Sequence, residues 1–186
     1  EAIQAVWFTQ LGVWMETPIA LFGPPGRFTQ YMYPLYKKDK EEGRLTDEEA
    51  IDFIQLYFIK INHLAMVLSP HTWAWNQSRL GQQLSLGGLT PEGEDATTEL
   101  DYLVLEAQER IQLPEPLVNV VYHDRLPESF LLKCVELIRS GIGQPAFHDI
   151  RKAIERRLYY DKAPLEEARN VSIAGCVQSV IPGYTD

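Results

Sequence analysis

"QLSLGGLTPEGEDATTELDYLVLEAQERIQLPEPLVNVVYHD", residues 83–124, decides how this chain folds. It opens with a short strand that ends in the pair Gly87–Gly88. After "LTPEGED" the apolar spacing predicts a helix from about Asp95 to Ile111. "PLVNVVYHD" (116–124) is β-rich, and Pro127 begins a helix that reaches about Arg139. Strand, helix, strand, helix is the signature of parallel β–α units.

Upstream, residues 1–16 read as a helix stopped by Thr17–Pro18, and "GPPG" (23–26) reads as a turn. A helix broken near Pro34 and closed by Gly43 follows. Thr46 with Glu49 forms a capping box that opens a long helix to about Leu68. Its apolar residues, among them Ile51, Phe53, Leu56 and Ile61, cover more than one stripe, as in a helix buried inside a larger protein. Downstream, "GIGQPAF" (141–147) is a loop with a brief strand and Ile150–Leu158 a helix. Pro164–Asn170 is a helical turn, and "VSIAG" (171–175) a final strand. Four parallel-type strands cannot close a barrel, and an open edge is an aggregation liability. The expectation is therefore a slice of a longer polypeptide.

The 186 residues suffice for one domain, and 45% hydrophobic with 23% charged residues marks a globular chain. A net charge of −9 argues against a nucleic-acid partner. The basic cluster Arg151, Lys152, Arg156 and Arg157 is interrupted by Glu155 and reads as a solvated helix face. Cys134 and Cys176 belong to no C-x-x-C pair, and His63, His71, His123 and His148 are scattered, so neither a disulfide framework nor a metal site is expected. That suits a reducing, cytoplasmic setting. The opening segment has no basic n-region or cleavage site, and Gln4, Thr9 and Gln10 interrupt it too often for a membrane span.

Four motifs occur in order: "PGRFTQYMYPLYKKDKEEGRLTDEEA" (25–50), "SLGGLTPEGEDATTELDYLVLEA" (85–107), "GIGQPAF" (141–147) and "AGCVQSVIPG" (174–183). Together they resemble the glycyl radical enzymes, the pyruvate formate-lyase-like superfamily. The resemblance implies an α/β fold: part of a ten-stranded, helix-wrapped barrel with short parallel strands, residues 1–186 being a segment of that catalytic barrel. It implies that Cys176 becomes a thiyl radical that takes a hydrogen atom from a small organic substrate. Gly175, Gln178, His123 and Val121 would then lie at the substrate site. No bound cofactor is implied. The radical is stored on a glycine of an R-V-x-G-Y motif absent from 1–186, installed by a radical S-adenosylmethionine activase, and the full-length enzyme is expected as a homodimer.

The residues around Cys176 suit homolytic chemistry, which needs no thiolate. No Lys, Arg or His stands within five residues of Cys176 to lower its pKa. Cys134, at helical spacing with Phe130 and Ile138, reads as core.

The chain also departs from the family pattern. Gln178 stands where dehydratases and decarboxylases carry a glutamate base, and a carboxamide accepts no proton at neutral pH. Val121 replaces an arginine often found in the corresponding strand, and Gly175 replaces the first of two adjacent cysteines in pyruvate formate-lyase itself. The leading expectation is a carbon-centred radical lyase. A radical addition to fumarate and a non-catalytic remnant or split subunit remain as alternatives.

Overall fold

Local signals set most helix ends. The computed structural model describes residues 1–16, 24–63, 81–175 and 177–184. Readings that fall on 17–23, 64–80, 176 and 185–186, Cys176 included, lie outside the described residues.

Helix α1 runs Ala2–Glu16 as expected. Helix α2 (Phe28–Glu41) continues through Pro34, where a break was expected. Proline forfeits one helical hydrogen bond, but buried Phe28 and Thr29 on one side of it and Tyr36 on the other hold both halves to the same core. The helix ends at Gly43, whose φ of +69 lets its amide reach Lys40 O at 3.0 Å and that of Arg44 reach Asp39 O at 2.8 Å. Helix α3 (Asp47–Asn62) begins with the expected capping box of Thr46 and Glu49. It buries Ile51, Ile54, Phe58 and Ile61, while Phe53 and Leu56 on its second stripe are exposed.

Strand β1 is Gln83–Gly87. Helix α4 starts at Glu99, four residues later than the apolar spacing indicated, and ends at Ile111. The cause is the Asp101 carboxylate, which accepts from the Thr98 amide at 2.8 Å and the Thr98 hydroxyl at 2.6 Å and holds Thr98 extended ahead of the first turn. Strand β2 (Leu117–Tyr122), helix α5 (Glu128–Arg139) and strand β3 (Ala146–Asp149) follow. Helix α6 (Ile150–Arg156) passes into a π-helical turn, Arg157–Asp161, and α7 (Leu165–Ala168) is a single turn.

Strands β1, β2 and β3 lie side by side and parallel, with Ser85 opposite Asn119 and Val121 opposite His148. Leu84, Leu86, Val118 and Val120 point to one face and share a single core with α1 to α5. Each such side chain contributes about 1.5–3 kcal/mol by leaving water. Alternation along the strands places Gln83, Ser85, Asn119, Val121 and His148 on the other face.

The segment read as a final parallel strand is not one. Strand β4 (Ser172–Ala174) pairs antiparallel with β5 (Gln178–Val180), a strand not anticipated, and the pair lies on the face of the sheet opposite the α1–α5 core, where α6 also packs. Its attachment to β1 is through side chains. The Ser85 hydroxyl accepts from the Ile173 amide at 3.0 Å and meets the Ser172 hydroxyl at 3.1 Å, so no backbone ladder joins β4 to the parallel strands.

Candidate active site

The face of the sheet opposite the α1–α5 core, onto which α6 packs through Ile150, carries the site. A cavity of about 410 Å³ opens there, bounded by Val121 and His148 of the sheet, Lys152 of α6, and Ile173, Val177 and Ser179 of the antiparallel pair. Its walls mix aliphatic surface with a few polar groups, as in small-molecule sites. The chain neighbours of Cys176 are held from the sheet side. Gly175 is buried with φ +56, and its carbonyl accepts from Gln83 Nε2. Gln83 Oε1 in turn accepts from Asn119 Nδ2, and Asn119 Oδ1 accepts from His148 Nε2 at 2.9 Å. A row of amide and imidazole groups thus crosses three strands and ends on the residue preceding Cys176. On the far side, Arg157 donates to the Ser179 hydroxyl at 3.2 Å and to Asp161 at 2.7 Å, fixing β5.

The expected site residues divide. Val121 is fully buried and lines the cavity. Gly175 lies at the end of the polar row. Gln178 is exposed and does not line the cavity; its Oε1 accepts from the Val177 amide at 3.3 Å. The reason is the strand alternation that sets Ser179, which lines the cavity, and Gln178 on opposite faces of β5. His123 is also absent from the cavity wall, because both its ring nitrogens are engaged elsewhere. Nδ1 accepts from the Arg125 amide at 3.2 Å, while Nε2 donates to Gly88 O at 2.9 Å and lies 3.2 Å from Asp95. His123 ties the end of β2 to the loop after β1.

A family model described as pyruvate formate lyase-like matches residues 1–186. The chain belongs to this family of glycyl radical enzymes. It is 34% identical to the isethionate sulfite-lyase of Oleidesulfovibrio alaskensis over 98% of this chain and 22% of that protein. It is 35% identical to the 4-hydroxyphenylacetate decarboxylase glycyl radical subunit of Clostridium scatologenes, over 98% of this chain and 21% of that one. Among solved structures, the 1,2-propanediol-dehydrating protein of Roseburia inulinivorans superposes with a TM-score of 0.92 at 36% identity, covering 98% of this chain and 23% of its own. The chain spans about a fifth of the length of these relatives.

For a pyruvate formate lyase-like chain, the residues that sequence reading missed are Gln83, Ser85, Asn119 and His148. A signal for the first three was present. "QLSLG" places polar residues at 83 and 85, and "LVNVV" places one at 119, in strands otherwise without polar side chains, which marks a second face that carries polar groups. Among the described residues no group of acidic, histidine or cysteine side chains could hold a metal ion, and no helix is long and apolar enough to cross a membrane.

Proposed function

We propose that residues 1–186 are part of the catalytic barrel of a glycyl radical lyase, in which Cys176 serves as the thiyl that takes a hydrogen atom from a small organic substrate. One observation carries this reading. The antiparallel pair flanking Cys176 sits on the face of a parallel sheet opposite the α1–α5 core, with Gly175 fixed by Gln83 and with Val177 and Ser179 bordering a cavity. In a helix-wrapped barrel that face is the interior. The aliphatic wall of Val121 and Ile173 keeps water from a carbon-centred radical. The radical itself would be stored on a glycine beyond these residues and installed by a radical S-adenosylmethionine activase in the cytoplasm, in a homodimeric full-length enzyme. An addition to fumarate finds no support among the named relatives, which are a sulfite-lyase, a decarboxylase and a diol-dehydrating enzyme.

The test uses full-length protein treated with its activase and offered 1,2-propanediol, glycerol, isethionate and trans-4-hydroxy-L-proline. Cys176→Ala is expected to abolish turnover while the glycyl radical signal in electron paramagnetic resonance persists. Turnover by Cys176→Ala would exclude the assignment.

A further inference from the structure

Resting on that reading, we infer that His148 is the proton acceptor of the cavity, presenting Nδ1 to a substrate hydroxyl, and that Asn119 and Gln83 are positioning residues that lock its tautomer. One end of the polar row fixes the orientation of every group in it. The Gly175 carbonyl can only accept, so the Gln83 group facing it is the NH₂ and Gln83 Oε1 faces Asn119. Asn119 therefore turns its NH₂ to Gln83, where it also donates to Leu117 O at 2.9 Å, and its Oδ1 to His148. An oxygen at that place requires a proton on His148 Nε2. In the neutral imidazole the lone pair is then on Nδ1, which has no hydrogen-bond partner among the described residues, and His148 lines the cavity beside Val177 and Ser179.

The side chain is half-buried, and desolvation holds its pKa below the ordinary histidine value, so the ring is neutral at pH 7 and available as a base. The other charged groups at this cavity are Asp149 on the same strand and Lys152 and Arg156 on α6. Asp149 is paired with Arg151 and Lys152 with Glu155. No carboxylate base is supplied at position 178, where the side chain is a carboxamide turned outward.

The step balances without any further reactant. The thiyl takes the hydrogen atom from the carbon bearing the hydroxyl, so a C–H bond breaks and S–H forms. As the bond from the neighbouring carbon to its leaving group breaks, the leaving group departs with the electron pair and the hydroxyl proton passes to His148 Nδ1. A carbonyl forms, and the unpaired electron moves to the neighbouring carbon. That carbon recovers a hydrogen atom from the thiol, and the imidazolium returns its proton to the leaving group.

The experiment measures kcat/KM against pH in activated full-length enzyme on 1,2-propanediol, glycerol and isethionate, in each of which the carbon next to a hydroxyl-bearing carbon carries a leaving group. The wild type should show an acidic limb of one proton, centred below the ordinary histidine value. His148→Gln should lower kcat/KM by roughly 10²-fold or more, the scale of a general base, and remove the limb, with the glycyl radical intact. In Asn119→Asp a carboxylate faces Nε2–H and favours the imidazolium, so the limb should move to higher pH, which a merely structural role for Asn119 would not produce. Wild-type kcat/KM and an unchanged limb in His148→Gln, in an enzyme that Cys176→Ala inactivates, would overturn the role of His148 alone. Failure to form a glycyl radical, or turnover in Cys176→Ala, would instead overturn the underlying reading. An intact radical with no turnover of any of these three compounds would overturn the hydroxyl assignment.

Discussion

Asp101→Ala should destabilise the fold strongly. Asp101 is fully buried, and its carboxylate accepts four hydrogen bonds from three parts of the fold. They come from Gly87 N at the end of β1 at 2.9 Å, Thr29 Oγ1 of α2 at 3.0 Å, Thr98 N at 2.8 Å and Thr98 Oγ1 at 2.6 Å. The two hydroxyls can rotate toward other acceptors, but the two amides cannot. Two buried amides without acceptors cost about 1–3 kcal/mol each, so the loss should be about 2–6 kcal/mol. Arg27 adds to it, since Asp101 is the counter-charge of this buried guanidinium, whose pKa desolvation lowers to about 10. Asp101→Asn should cost less, because its oxygen can still serve Gly87 and Thr29 while its NH₂ opposes only the Thr98 donors; one lost amide pairing is worth about 1–3 kcal/mol. Urea unfolding followed by tryptophan fluorescence reads both variants as a shift in midpoint at constant slope. An alanine variant within about 0.5 kcal/mol of the wild type, or an asparagine variant less stable than the alanine one, would refute the reasoning.

Three further outcomes are expected. Gly43→Ala should destabilise by about 1 kcal/mol through backbone strain alone, since φ is +69 and a Cβ there meets nothing within 4 Å, and a larger loss in the same assay would point to a contact instead. Cys134 should resist iodoacetamide at pH 8 in the folded protein, because burial pushes its thiol pKa up to about 12, so mass spectrometry finding rapid alkylation there would contradict its place in the core. Gln178→Glu should leave turnover of the activated enzyme unchanged, as the side chain points away from the cavity, whereas a gain of 10²-fold or more would show that a carboxylate at this position acts as the base.

What the sequence determined by itself is the local and the ordered: the capping box at Thr46, the stop at Gly43, the alternation of strand and helix, and the succession of motifs that marks the family. These depend on residues a few positions apart, whose hydrogen bonds and periodicity act before any long-range contact forms. The continuation of α2 through Pro34 and the late start of α4 escaped that reading, because shared burial decided the first and the Asp101 carboxylate the second. Only the tertiary structure decided the site. Gln83, Asn119 and His148 are separated by 36 and 29 residues, and nothing in their local sequence links them. They meet because three parallel strands fix a register, and a slip of one residue in β2 would turn Asn119 to the opposite face and break the row. The same dependence turned Gln178 outward and Ser179 inward, and spent both nitrogens of His123 on backbone and carboxylate partners. Side-chain direction on a strand is set by pairing with distant chain, so chemistry carried on strands is settled only when the sheet assembles.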